Sequence, residues 1–194
     1  MFSIDIVSEK YKMIMYEWRI HPEISKYMIN DSMFTLNEHN VWFKSIIDND
    51  HNYYFALLWK EIICGFGNIT DINKIQGTAN WGIYLSPYNV PNIFSGLVLY
   101  CSCVALAFDR LQLKMLNGKV LSNNKNVLSL HRQLGLVIEE KRLNKLKRIN
   151  GKYLDVYLIK ISKNKWELEK DNIWLKFPQN FTYDLKRFIE NRNN

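Results

Sequence analysis

The sequence predicts a mixed α/β fold: a mostly antiparallel central sheet flanked by helices, with an extra C-terminal segment. Three observations carry this. Strand-like segments cluster at Tyr53–Trp59, Ile62–Thr70 and Thr78–Leu85, separated by short turns. A nearly continuous apolar run, Ile93–Phe108, then leads into another strand, Lys114–Leu121, and a second helical pattern. Finally, Val137–Leu143 and Tyr153–Ser162 alternate as an antiparallel pair. Strands on both sides of a β-α-β centre call for a sheet covered on both faces.

Each element has a local reason. Ser8–Arg19 sets Met13, Ile14, Met15, Tyr16 and Trp18 at mostly helical spacing. His21-Pro22 interrupts that helix, because the residue before proline is pushed out of the helical region. A short helix follows over Glu23–Met28. Thr35-Leu36-Asn37-Glu38 is a capping box that opens a helix through Ile47. Lys60-Glu61 makes a tight turn, Asp71–Gly77 reads as a loop, and the two prolines of Ser86–Asn92 make that stretch a loop. Ser122-Asn123-Asn124 opens the helix Asn124–His131, which closes on Gln133-Leu134-Gly135. The chain divides into a main domain, 1–162, and a C-terminal extension, 163–194. The extension carries Trp166, Leu168, Ile173, Trp174, Leu175 and Phe177, too apolar for a free tail, with Phe181–Ile189 as a short terminal helix. It covers a sheet edge or packs on a second subunit, so a homodimer is one expectation.

At 194 residues the chain is long enough to bury about 70% of its unfolded surface as one domain. A hydrophobic fraction of 47% with 14% aromatics argues for an ordered core. The segment Met1–Asp5 has no basic region followed by an apolar run, so a cytoplasmic location is expected. Cys64, Cys101 and Cys103 read as buried free thiols, and no spacing resembles a zinc site. Ile93–Phe108 falls short of the ~20 residues a bilayer needs, which argues against a membrane span. Net charge is +7. Most of it sits in residues 139–194, with 14 Lys and Arg against 8 Asp and Glu. A solvated basic surface explains it; so does a field that attracts anionic ligands. Nucleic acid is the weaker reading, since acids interleave with the bases and no nucleic-acid motif accompanies them.

The apolar helix, strand and Asn-opened helix from Ile93 to Leu136 resemble the cofactor half of the GNAT superfamily of N-acetyltransferases. In that family a loop of the form Arg/Gln-x-x-Gly-x-Gly/Ala starts the apolar helix. Here the matching stretch is Pro91-Asn92-Ile93-Phe94-Ser95-Gly96, with Pro91 where Arg or Gln is usual and Phe94 where the first Gly is usual. The resemblance implies acetyl-CoA as acyl donor, its pyrophosphate held by backbone amides around Ser95, Gly96 and Leu97, with Asn124 a further contact. Asn124-x-x-Val127-x-x-Leu130-His131-x-x-Leu134-Gly135 resembles the family's second cofactor helix. That match places His131 where a Tyr often protonates the departing thiolate. Read without the resemblance, Asn124 is an N-cap and His131 a half-buried helix residue.

The N-terminal blocks Trp18-Arg19-Ile20-His21-Pro22-Glu23-Ile24 and Thr35-Leu36-x-Glu38-His39-x-x-Trp42-Phe43 resemble acetyltransferases of pseudaminic acid biosynthesis. The likeness continues in Gly65-x-Gly67 and in Gly82-Ile83-Tyr84-x-x-Pro87. It implies a nucleotide-linked amino sugar as acceptor, acetylated on its 4-amino group by direct attack. By position it assigns Arg19, Met28, His39 and Trp42 to the acceptor pocket and Tyr84 to the strand facing the acetyl group. Without it, Met28 and Trp42 read as core, and Arg19 as a surface partner of Glu23. No residue is singled out as the base, although Asp71 is one option. Two other functions stay open: acetylation of a protein N-terminus or lysine, and a degenerate module that binds acyl-CoA or nucleotide without catalysis.

Overall fold

The computed structural model describes residues 2–30, 34–49, 51–88, 94–148 and 150–177. Seven strands form one sheet: β1 (Phe2–Ile6), β2 (Tyr53–Trp59), β3 (Ile62–Asn73), β4 (Thr78–Leu85), β5 (Met115–Leu121), β6 (Val137–Lys147) and β7 (Tyr153–Ser162). Their order is β1-β2-β3-β4-β5-β7-β6. Among the described residues the helices are α1 (Lys12–Ile20), α2 (Pro22–Ser25), α3 (Leu36–Ile47), α4 (Ser95–Ala105), α5 (Lys125–Leu134) and α6 (Lys163–Trp174). Residues 89–92 of the expected loop Ser86–Asn92, the first residue of the expected apolar run, Ile93, and the expected helix Phe181–Ile189 lie outside the described residues.

The sheet is two half-sheets joined at one end. β4 stays paired with β3 along its length, through Gly65↔Leu85. β5 pairs with β7 from Met115↔Ser162 to Leu121↔Val156. Between β4 and β5 only Thr78↔Met115, Ala79↔Leu116 and Asn80↔Asn117 are matched, and these strands run parallel. Beyond Asn80 and Asn117 the two strands part. A splay therefore opens toward their C-terminal ends.

Helices cover both faces. On one face α4 is buried from Val98 through Ala105, as a helix apolar on every side must be. It lies close on β3 because Gly65 and Gly67 leave room. A Cβ at Gly65 would come within 2.9 Å of Leu99, and one at Gly67 within 2.9 Å of the Cys103 sulfur. On the other face α1 and α3 pack Tyr11, Met15, Trp18, Phe43 and Ile46 against Ala56 and Phe66. Strand alternation sorts the two clusters: Phe55 and Leu57 enter the α4 side, and Ala56 the α1 side. The three cysteines are buried free thiols.

Several boundaries differ from expectation. β1 was not foreseen, and it pairs antiparallel with β2 from Phe2↔Trp59 to Ile6↔Phe55. The first helix divides into a 3-10 turn, Glu9–Tyr11, and α1. α2 stops at Ser25 rather than Met28. β3 continues to Asn73, into the expected Asp71–Gly77 loop, by way of an irregularity at Asp71, whose φ of 53° is left-handed. The Lys60-Glu61 turn uses two left-handed residues, φ 46° and 67°, as a tight hairpin matching strand twist requires.

The C-terminal segment to Phe177 joins the same core. Ser162 caps α6 by accepting from the Lys165 N–H. Trp166 is fully enclosed, and its indole N–H donates to both Asp109 carboxylate oxygens, at 3.0 and 3.1 Å. Asp109 lies within a π-helical turn, Leu106–Arg110, that continues α4. Ile173 and Phe177 bury against the α4 cluster.

Candidate active site

The splay is framed by two helix N-termini. β4 leads to α4 and β5 leads to α5, so both helices begin at the strands' C-terminal ends, where crevices in parallel α/β units form. α4 starts without a side-chain cap on its free N–H groups, and such an end attracts an anion. Gly96 is half-buried, and among the described residues a Cβ there would press on the Leu85 side chain, at 3.3 Å. Phe94, in the place of a family glycine, stands 51% exposed at the helix start.

The expected cofactor residues fall into two kinds. Gly96 and Leu97 present backbone at the α4 start. Ser95 is fully enclosed, its hydroxyl beside the Cys64 thiol and without a hydrogen-bond partner. It therefore offers its amide, not its side chain. Asn124 caps α5, its Oδ1 accepting from the Val127 N–H at 3.4 Å.

His131 sits two turns into α5 and is fully enclosed. Its Nδ1 lies 3.0 Å from the Tyr100 hydroxyl of α4, and its ring meets Trp81 of β4 edge-on at 5.6 Å. Burial pushes its pKa down to about 4. Burial also raises that of Tyr100, so the phenol keeps its proton. The pair is then complementary when Tyr100 donates to Nδ1 and Nε2 carries the imidazole hydrogen. His131 is neutral at pH 7, which makes it a hydrogen-bond donor rather than the proton source the resemblance implies. A charged imidazolium is rare there by roughly a thousandfold.

Trp81 had no sequence signal as a site residue. It lies just past the last β4–β5 pair, and its indole nitrogen would be 2.8 Å from a Cβ on Gly118 of β5. Only glycine lets the indole reach across the splay there. Trp81 Nε1 and His131 Nε2 are both buried without partners. Two orphaned polar atoms beside one cleft are costly unless a ligand satisfies them. This fits a donor molecule bound between β4 and β5.

The residues expected to line an acceptor pocket lie on the opposite face. Tyr84 packs against Phe66 at 5.6 Å and Trp18 at 6.4 Å. Burial raises its pKa, so it is a hydrogen-bond donor rather than a base. Arg19 donates to the Asn30 carbonyl at 2.6 Å and lies over the Phe34 ring at 5.9 Å. Met28 is half-buried, and its carbonyl accepts from Arg148 at 2.5 Å. Two placements correct the sequence reading. His39 is fully enclosed between α1 and α3, its Nε2 bonded to the Lys12 carbonyl at 2.8 Å. Burial lowers its pKa, so it neither lines an open wall nor carries charge for a diphosphate. Trp42 is half-buried among His39, Phe34 and Tyr54, a packing position on α3. Asp71 accepts from the Asn80 side chain at 2.7 Å, at the closed end of the splay.

Residues 6–137 match the family model described as "Acetyltransferase (GNAT) domain". The chain belongs to the GNAT acetyltransferase family. As a GNAT protein it is an acetyl-CoA-dependent N-acetyltransferase. Among solved structures, spermidine N-acetyltransferase from Vibrio cholerae in complex with CoA and spermine is similar at TM-score 0.75 and 20% identity. That match covers 86% of this chain and 98% of the other. The spermidine/spermine N-acetyltransferase of the same organism in complex with manganese ions is similar at TM-score 0.71 and 18% identity, covering 86% and 95%. At these identities the likeness concerns the GNAT fold. No curated protein matches the sequence. Among the described residues no helix is long and apolar enough to cross a membrane, and no group of three or more His, Cys, Asp or Glu could hold a metal.

The enclosed imidazole predicts a pH effect. His131 binds a proton in the unfolded chain near its ordinary 6.5 but in the folded chain only near 4. Stability is therefore fully present above 6.5 and is lost as pH falls toward 4, by on the order of 3 kcal/mol. His39 adds in the same direction. Urea unfolding from pH 7 to 4 should show this fall, and His131→Gln should flatten it.

Proposed function

We propose that this enzyme acetylates the amine of an anionic acceptor, a nucleotide-linked amino sugar, rather than a polyamine. The observation that carries the reading is the charge at the acceptor face. A polyamine carries several positive charges and needs carboxylates to meet them. Here Glu23 is engaged by Lys26 at 2.5 Å, Glu9 by Lys12 at 2.9 Å, and Glu38 by the Thr35 capping box. Among the described residues, Glu17 on α1 and Asp48 at the end of α3, both exposed, are exceptions. Arg19 stands beside Tyr84 on this face, and the chain as a whole is +7. Such a field favours a diphosphate and opposes a polycation. The acceptor resemblance of the Trp18–Ile24 and Thr35–Phe43 blocks supports the same choice.

The bound donor supplies an acetyl thioester. The chain's own groups then have distinct work. The α4 start holds a diphosphate by N–H groups and dipole. The Tyr84 hydroxyl donates from the acceptor face, and the neutral His131 offers an N–H where negative charge develops. Because a thiol with pKa near 8.5 is a fair leaving group, a hydrogen bond there suffices. Direct attack by the amine needs no covalent intermediate, and all three cysteines are buried.

The test is a turnover panel with acetyl-CoA: a UDP-linked 4-amino-4,6-dideoxy sugar, its 4-hydroxy analogue, spermidine and N-terminal peptides. The amino sugar should give the highest kcat/KM, and the hydroxy analogue none. Preference for spermidine, the substrate named for the structural neighbours, would reverse the proposal; preference for peptides would replace it with protein acetylation.

A further inference from the structure

A strap crosses the open end of the splay. It comprises residues 25–29, running on from the last residue of α2. One end is fixed on the β4 side: α1 sets Trp18 against Tyr84, and the His21 ring meets Tyr88, just beyond β4, at 5.6 Å. The other end is fixed on the β5 side by two tethers. Asn123, just after β5, donates from Nδ2 to the Lys26 carbonyl at 3.3 Å. Arg148 reaches the strap from the β6–β7 turn, some 120 residues away in sequence. Its Nη1 donates to the carbonyls of Met28, at 2.5 Å, and Ile29, at 3.2 Å; its Nη2 donates to that of Ser25, at 3.3 Å.

Arg148 is only 6% exposed, which is rare for a guanidinium. Its backbone is held in the turn as well: its N–H donates to the Lys152 carbonyl and its carbonyl accepts from the Gly151 N–H. A planar fork on a fixed stem spans three carbonyls that a point-like ammonium cannot serve in the same geometry. Desolvating a cation to this degree is a heavy investment for joining a hairpin to a loop. What the clasp sets is the distance between the Met28 segment and the cleft beneath it.

We propose that Arg148 is a positioning residue for the amine acceptor: by clasping residues 25–29 across the splay it fixes the acceptor wall without touching the donor site. This rests on the reading that α1, α2 and the strap form that wall, but not on which amine is taken. The experiment compares wild type, Arg148→Met and Arg148→Lys, using whichever amine of the turnover panel the wild type acetylates best. Arg148→Met should raise the acceptor KM by ~10- to 100-fold, the range expected when a wall shifts by about 1 Å. The dissociation constant for acetyl-CoA, measured by calorimetry, should stay within about twofold, since the α4 start is not part of the clasp. Arg148→Lys should fall between. Hydrogen exchange should show residues 25–29 losing protection in Arg148→Met while α4 keeps its own. If Arg148→Met does not fold, Arg148→Lys combined with Asn123→Ala carries the same comparison. Acceptor KM and acetyl-CoA affinity weakening together would overturn the proposal as a general loss of structure. An unchanged acceptor KM would overturn it too. Should no amine be turned over by the wild type, the acceptor reading fails by itself, and unchanged exchange at residues 25–29 would still reject the clasp.

Discussion

A Gly96→Asp variant is expected to bind acetyl-CoA about 100-fold more weakly while unfolding at an unchanged or slightly higher temperature. The two halves of that result have opposite causes. The α4 start has no side-chain cap, and among the described residues a Cβ at position 96 meets the Leu85 side chain. An aspartate therefore fits once the flexible end of Leu85 gives by a few tenths of an ångström, and its charge complements the helix dipole by about 0.3–1 kcal/mol. The same charge faces the donor's diphosphate. Two like charges about 5 Å apart at an effective dielectric near 20 repel by about 3 kcal/mol, which is the hundredfold loss. Calorimetry gives the affinity and a thermal melt the stability. Loss of both would mean misfolding; unchanged affinity would place the donor elsewhere.

Trp166→Ala is expected to destabilise the whole domain by about 3–5 kcal/mol, in one cooperative transition. Trp166 is fully enclosed and meets Trp174 edge-on at 5.3 Å. Its removal leaves a large cavity beneath α6 and strips Asp109 of its indole donor. Burial already raises the pKa of Asp109, with the indole hydrogen bond opposing that rise. Against a typical total of about 5–15 kcal/mol, the loss is severe. Trp166→Phe keeps most of the volume and removes only the N–H, so it should cost about 1–3 kcal/mol. Urea unfolding of both variants measures this. A second, separate transition for α6, or a loss below about 1 kcal/mol, would show that residues 163–177 are an appendage rather than part of the core.

The elements most legible in the sequence are those whose signals are local. The capping box at Thr35 forms as read, with Thr35 and Glu38 exchanging bonds. β2 and β4 run between the residues their composition marks, and Gly135 ends α5 in the left-handed region at φ 64°. α6 was illegible for a physical reason. Its buried residues, Trp166 and Ile173, are seven apart, while Leu168 between them is 75% exposed, so no broad apolar stripe marks it. β1 did carry a signal, the alternation of Phe2, Ile4 and Ile6, but five residues are few for a pattern to stand out.

The site divides in the same way. Helix starts after strands can be read locally, and Gly96 and Asn124 are where that logic puts them. Contacts made only by folding cannot. Trp81 against Gly118, Tyr100 against His131 and Arg148 against Met28 join residues 30 to 120 positions apart. His39 shows the converse limit. Its position in the motif is a fact of sequence, but its enclosure between α1 and α3 is a fact of packing.

The most direct measurement is an amide and indole NMR titration with CoA. Occupation of the splay predicts the largest shifts at the backbone N–H groups of Ser95, Gly96 and Leu97, at the start of α5, and at the Trp81 indole N–H. Shifts confined instead to the outer groove lined by Arg132, Gly135, Val137, Glu139 and Glu140, which His131 also borders, with those amides and that indole unmoved, would contradict the account.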